Sequence, residues 1–197
     1  MSLDREPPML HDLNPTGRFS DRAADYVKYR PCYPEGAVAA MLAHLGDPVR
    51  LRAADVGAGT GISARQLAEF RRILKPHGRL AIMWDGRDPA DPLTRDYVEA
   101  IHAVNGEHPA ELREFDPAVV NAAGHFTPAR PETFEHAQEL DRDGLIGRAT
   151  SASYVPREGK SYATLVRLLA ELYERHRDAH GQVRMKYLTQ LFLATAR

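Results

Sequence analysis

The sequence has little of several features that would narrow its function at once. Its 197 residues include one cysteine, Cys32, so no internal disulfide can form and we expect a reducing, cytoplasmic compartment. No apolar run approaches the roughly 18 residues of a membrane span, and the N-terminus has no apolar segment typical of a signal peptide. We therefore predict no membrane partner.

The chain also lacks an excess of charge of one sign. Its formal net charge is −1, which leaves no electrostatic footprint for nucleic acid. Nine histidines are scattered along the sequence, and we predict that they are surface residues and that there is no metal site. The hydrophobic fraction of 43% suffices for one ordinary core, so we predict a single domain over residues 1–197.

One stretch organises the rest of the chain. A short apolar run ends in an acid, and glycines at alternate positions lead into residues that can form a helix. The stretch runs Ala53, Ala54, Asp55, Val56, Gly57, Ala58, Gly59, Thr60, Gly61, Ile62. This pattern predicts a strand, a tight turn and a helix N-terminus whose free N–H groups can face an anion. A plain strand-to-helix corner without a ligand is the alternative.

The spacing of the glycines separates two classes of cofactor. A dinucleotide-binding fingerprint requires a glycine at position 62, where the chain has Ile62. The G-x-G-x-G pattern, with an acid two residues before it, instead resembles motif I of the class I S-adenosylmethionine (SAM) methyltransferases. Residues 19–34 resemble the F-S-x-x-A-x-x-Y-x-x-x-R-P-x-Y-P segment before motif I in small-molecule methyltransferases similar to the trans-aconitate methyltransferases. The similarity resumes at residues 70–84 and continues to the C-terminus.

This resemblance implies an α/β, Rossmann-like class I methyltransferase fold with a mostly parallel sheet and an antiparallel last strand. It also implies SAM as cofactor. The cofactor-binding residues that it implies are Tyr26, Arg30, Asp55, Gly57, Ala58, Gly59, Thr60 and Gly61. A guanidinium beside helix N–H groups suits the SAM carboxylate, although Tyr26 as packing and Arg30 as a solvated charge is the alternative.

A segment of the family pattern is missing between Glu69 and Phe70. Strands two to four, which normally supply the ribose-binding acid and the adenine contacts, are absent. We therefore predict an abbreviated sheet and either a marginal monomer or a homo-oligomer formed through an exposed sheet edge. The predicted strands lie near residues 52–56, 79–84, 133–140 and 183–194, the first two parallel. The predicted flanking parts are a mobile lead-in (1–17), cap helices (18–46) and an irregular cover (105–130).

The predicted function is SAM-dependent methyl transfer to a small-molecule acceptor, a carboxylate or a hydroxyl. An internally deleted, non-catalytic relative with weak or no SAM binding is the alternative, and Ile62 disfavours a nucleotide-dependent oxidoreductase. No catalytic residue is assigned, because the sulfonium is already a good leaving group and catalysis is mostly alignment; if a base is needed, His125 is the candidate. Candidate substrate contacts are Trp84, Asp85, Ser151, Ser153 and Tyr154; the alternatives are Trp84 as a core residue and the serines as partners of their own turn backbone.

Overall fold

The computed structural model describes residues 23–56, 64–106 and 115–197. The chain divides into two compact units, a helical unit and a sheet unit. The helical unit takes its described residues from 1–31, 95–107 and 139–184, and the sheet unit from 32–94, 108–138 and 185–197. The predicted lead-in, residues 1–17, and the glycine turn at residues 57–61 lie outside the described residues.

Helices and strands occupy most of the described ranges. The helices are α1 (Ala23–Tyr29), α2 (Glu35–Leu42), α3 (Ala64–Ile73), α4 (Pro92–Asn105), α5 (Ala118–Ala122), α6 (Arg142–Thr150) and α7 (Gly159–His176). The strands are β1 (Arg79–Arg87), β2 (Arg130–Leu140) and β3 (Val183–Thr195), and a 3-10 turn spans Pro48–Arg50. The helices α1 and α2 fall within the predicted cap region, and α5 falls within the predicted irregular cover.

The three described strands form one antiparallel sheet in the order β1-β3-β2. β1 pairs with β3 from Arg79 opposite Thr195 to Arg87 opposite Tyr187. Alternate residues of β3 are at most 1% exposed, as expected where successive side chains point to opposite faces of a sheet. These buried residues are Val183, Met185, Tyr187, Thr189 and Leu191.

The prediction of a mostly parallel, Rossmann-like sheet is wrong. Residues 51–56 have no regular secondary structure, residues 52–56 are exposed, and Val56 keeps 49% of its surface accessible. A strand inside a parallel sheet is buried on both faces and is rich in large apolar residues. The alanines of this run bury little surface, and Arg52 and Asp55 flank them. Among the described strands, β1 pairs with β3 alone.

The other three predicted strands are present. Residues 79–84, 133–140 and 183–194 lie within β1, β2 and β3, and the predicted antiparallel pairing of the last strand is confirmed by its register with β1. β1 and β2 are the outer strands among those that the structure describes. Assembly through a sheet edge stays a prediction.

The core of the sheet unit lies where α3 and α5 meet the ends of β1 and β3. Leu67 of α3 and Val120 of α5 are fully buried there together with Phe126. Burying each such aliphatic side chain is worth about 1.5–3 kcal/mol relative to leaving it exposed. The half-buried Arg79 ties α2 to this region, because its Nη1 atom donates to carbonyl oxygens at the helix end, 2.9 Å from Met41 and 2.7 Å from Ala43.

The helical unit is built by α6, which contacts both α1 and α7. The leucines of α7 recur at helical spacing in the sequence, and those on its buried face are Leu165, Leu169 and Leu172. The sequence did not predict α6, whose glycines weaken its helix propensity. Its N-terminus is nevertheless capped, because Asp141 accepts the N–H of Gly144 at 2.7 Å.

Candidate functional site

Of the glycine-motif half of the predicted SAM site, the structure describes Asp55 alone. Asp55 lies on the exposed segment 51–56 and makes no hydrogen bond or ion pair with any residue that the structure describes. The remaining predicted motif residues, Gly57, Ala58, Gly59, Thr60 and Gly61, fall in the undescribed stretch 57–63. Asp55 therefore does not end a strand, in contrast to the expectation from motif I, and the cofactor site itself stays a prediction.

The N-terminal half of the predicted site is a contact between Tyr26 and Arg30 at the end of α1. The Cζ atom of Arg30 lies 4.9 Å from the centroid of the Tyr26 ring, within cation–π range. The same turn is closed by the Arg30 N–H, which donates to the Tyr26 carbonyl at 3.1 Å. Tyr26 is 48% exposed. These two residues belong to the helical unit, whereas Asp55 belongs to the sheet unit.

Two of the predicted substrate-contact residues, Trp84 and Ser151, interact with other residues of the protein. Trp84 stacks on Phe192 with ring centroids 5.4 Å apart, and Phe115 meets it edge-on at 5.7 Å. Ser151 is buried and donates from Oγ to the Arg148 carbonyl at 2.8 Å, which ends α6. The aromatic ring and the hydroxyl therefore serve packing and backbone hydrogen bonding.

The remaining candidates differ in their surroundings. Ser153 and Tyr154 are half-buried in the turn after α6. His125 is exposed, and its carbonyl accepts the N–H of Arg197 at 3.0 Å. No carboxylate of the described residues pairs with the His125 ring, so nothing there would set its tautomer or orientation.

Asp85 is the predicted residue around which the structure does assemble a polar site. Its Oδ1 atom accepts a hydrogen bond from the Thr189 hydroxyl at 2.5 Å and lies 3.1 Å from His136 Nε2. Tyr187 and Gln138 adjoin this group through a hydrogen bond of 3.2 Å between their side chains. We call these five residues the sheet polar cluster; all of them belong to the sheet unit.

The strand order explains how the cluster forms. Asp85 on β1 stands directly opposite Thr189 on the central strand β3, and His136 comes from β2 on the other side of β3. Thr189 is fully buried, while the side chains of Asp85 and His136 are 15% and 13% exposed. A carboxylate that accepts a hydroxyl and an imidazole hydrogen bond is held in a fixed orientation but stays within reach of solvent.

Ring stacking also fixes the orientation of the His136 imidazole. Its ring stacks on the buried Tyr187 ring with centroids 5.2 Å apart and an interplanar angle of 22°. The Tyr187 hydroxyl lies 3.0 Å from Met185 Sδ in addition to its bond with Gln138. The arrangement resembles the general pattern in which a carboxylate orients a histidine for proton transfer.

His136 is the functional candidate that sequence reasoning missed. It lies in the polar run from Glu135 to Gln138, where no local pattern distinguishes it from a solvent-facing residue. Thr189, on the buried face of β3, was the available signal, because a buried polar side chain requires a partner. Only the strand order brings Thr189 and His136 beside Asp85.

One histidine pair has a spacing that suits a metal, since Asp178 lies between His176 and His180. The structure uses these groups otherwise. His176 Nε2 lies 2.9 Å from the Asp96 carboxylate, and Asp178 accepts the N–H of His180 at 2.8 Å and that of Gln182 at 2.9 Å. Within the described ranges, no group of three or more His, Cys, Asp or Glu could hold a metal ion.

Comparison with known proteins adds no assignment. No protein-family model and no curated protein sequence matches the chain significantly. Of the helices that the structure describes, none is both long and apolar enough to cross a bilayer.

Proposed function

We propose that this chain is an internally deleted, non-catalytic relative of the small-molecule SAM-dependent methyltransferases, with weak or no binding of SAM. The observation that carries the proposal is the exposure of residues 52–56, which lie outside the sheet. The resemblance of residues 19–34 and 70–84 to the methyltransferase pattern supports a relationship to that family. The exposed conformation of residues 52–56 supports a loss of cofactor binding.

The physical argument concerns preorganisation. Methyl transfer from SAM depends on holding the sulfonium and the acceptor in line, because the chemistry itself needs little assistance. A carboxylate on an exposed segment without strand pairing is less well preorganised than one at the end of a strand, and fixing the backbone of a residue on binding costs about 1–2 kcal/mol. The ribose-binding acid is absent from the sequence as well. Each lost hydrogen bond to a charged group removes about 1.5–3 kcal/mol.

Calorimetric titration with SAM and with S-adenosylhomocysteine tests the proposal. We expect no measurable heat, or a dissociation constant weaker than about 1 mM. Any residual binding should disappear in Gly59→Val, which blocks close backbone approach, and in Arg30→Ala, which removes the predicted carboxylate partner. An intact mass of 22.0 kDa would verify that the titrated protein is the 197-residue chain.

SAM-dependent methyl transfer to a small-molecule acceptor is the second candidate, and the contact between Tyr26 and Arg30 favours it because both residues of the predicted clamp lie together. Tight binding of SAM that is lost in Arg30→Ala would select this candidate and overturn the first. Tight binding that survives both Arg30→Ala and Gly59→Val would place the ligand elsewhere and leave the glycine motif without a role in binding.

A further inference from the structure

We propose that the sheet polar cluster is a binding site for a small, neutral, hydroxyl-bearing molecule, which donates O–H groups to Asp85 Oδ2 and His136 Nδ1. This inference concerns the sheet unit alone and does not depend on whether SAM binds.

Both hydrogen bonds to the Asp85 carboxylate reach the same oxygen. The Thr189 hydroxyl and His136 Nε2 both contact Oδ1, at 2.5 and 3.1 Å, and no described residue donates to Oδ2. A carboxylate offers about four acceptor positions on its two oxygens. Since the side chain is 15% exposed, Oδ2 is an acceptor that a ligand can use.

His136 contributes a second acceptor. When its Nε2–H donates to Asp85, the neutral imidazole carries a lone pair on Nδ1. Nδ1 makes no hydrogen bond to any residue of the described ranges, and the side chain is 13% exposed. Stacking on Tyr187 fixes the ring, so a ligand would not have to order it on binding. The cluster thus offers two acceptors in a preset arrangement.

The charge around the cluster favours a neutral ligand over a cation. Arg87 lies two residues after Asp85 on β1 and therefore on the same face of the strand. A positively charged side chain on the same face makes an ammonium group a poorer complement to the cluster than a neutral donor. Neutral O–H donors satisfy both acceptors without adding charge. A molecule with two neighbouring hydroxyls is the simplest complement.

The first test is made on the unmodified chain. The ¹⁵N chemical shifts of the His136 imidazole, measured by NMR near neutral pH, should report Nε2 protonated and Nδ1 unprotonated. A protonated Nδ1 would overturn the proposal, because that nitrogen would then be a donor. This measurement needs no variant and so is unaffected by any failure to fold.

The second test uses catechol as a probe with two adjacent hydroxyls, and 1,2-dimethoxybenzene as a probe of similar shape without donors. Catechol should shift the His136 resonances saturably and leave those of the exposed His125 unchanged. Equal shifts with the two probes would show stacking alone and overturn the proposal. An absence of saturable shifts with catechol would overturn it as well.

Variants of Asp85 and His136 then test whether these two side chains accept the hydrogen bonds of the ligand. Asp85→Asn replaces an acceptor with an amide donor at similar shape, and it should weaken catechol binding at least about tenfold. His136→Phe keeps an aromatic ring beside Tyr187 but removes both nitrogens, and it should weaken binding similarly, whereas His125→Phe should bind as the parent does. Folding is verified by circular dichroism. Unchanged binding in both folded cluster variants would overturn the proposal.

Discussion

Residues 51–56 and β3 are two apolar stretches of one chain with opposite outcomes. The first has the sequence context of a strand before a glycine turn, yet residues 52–56 are exposed and unpaired. The second, Val183–Thr195, lies between two other strands and buries alternate side chains completely. Both stretches contain residues that tolerate extended backbone, so local propensity does not separate them.

The difference lies in what each stretch can bury and pair with. β3 offers large side chains such as Tyr187 and Leu191, and β1 and β2 satisfy its backbone on both sides. Residues 53 and 54 are alanines, which gain little from burial. The lesson is that a strand forms where apolar surface and backbone partners are both available.

The largest expected effect comes from truncating one side chain in each stretch. Leu191→Ala should lower the free energy of unfolding by about 2–5 kcal/mol, because it opens a cavity at a fully buried position. Val56→Ala should change it by no more than about 0.5 kcal/mol, since Val56 is 49% exposed. Urea unfolding monitored by the fluorescence of Trp84 measures both values.

Leu191→Met is the matched control, because it nearly conserves volume and should cost less than about 1.5 kcal/mol. Amide hydrogen exchange gives a second view of the same comparison. Residues 52–56 should exchange with little protection and the centre of β3 slowly. Similar losses for Leu191→Ala and Val56→Ala, or strong protection of residues 52–56, would contradict the contrast between the stretches.

An intermediate effect is expected where α1, which carries half of the predicted SAM clamp, packs on α6. A Cβ added at Gly147 would overlap the Tyr29 ring, so Gly147→Ala should destabilise the chain by about 1–2 kcal/mol through overpacking. In a Tyr29→Ala background the same substitution should stabilise by up to about 1 kcal/mol, because alanine is the better helix former. Thermal unfolding of the four proteins measures the coupling.

A sign reversal between the two backgrounds would establish that α1 is a packing element of the helical unit. Equal effects of Gly147→Ala with and without Tyr29 would mean that the ring does not occupy this position, and would leave α1 free for another role.

The smallest expected effect concerns the turn that leads into β3. Hydrogen bonds from the backbone N–H groups of Gln182 and His180 hold the pKa of Asp178 below its ordinary value of 3.8. A lowered pKa in the folded state means that the contribution to stability is present above the unfolded value and lost as pH falls through the folded one. Carboxyl NMR titration should find Asp178 below 3.8.

Asp178→Asn is the control for this turn. It keeps an acceptor oxygen but removes the titration, so the acid-induced change in the Gln182 amide signal should vanish. An Asp178 pKa at or above 3.8 would contradict the hydrogen bonding that starts β3.

Elements with strong local patterns could be predicted, and the candidate site could be predicted only in part. The apolar stripe of α7 and the apolar runs of β1, β2 and β3 carry their structure within themselves. Asp85 was a candidate because it follows an apolar strand. His136 was not, because its partner lies 51 residues away in sequence and on a strand that is not its neighbour.

By itself the sequence determined three of the four predicted strands, several of the described helices and a resemblance to the SAM methyltransferases. Tertiary structure decided that residues 51–56 stay outside the sheet and that the strand order is β1-β3-β2. The physical reason is that local patterns record which residues can be extended or helical, whereas pairing depends on partners distant in sequence. Those partners bring Asp85, Thr189 and His136 together and leave Asp55 exposed.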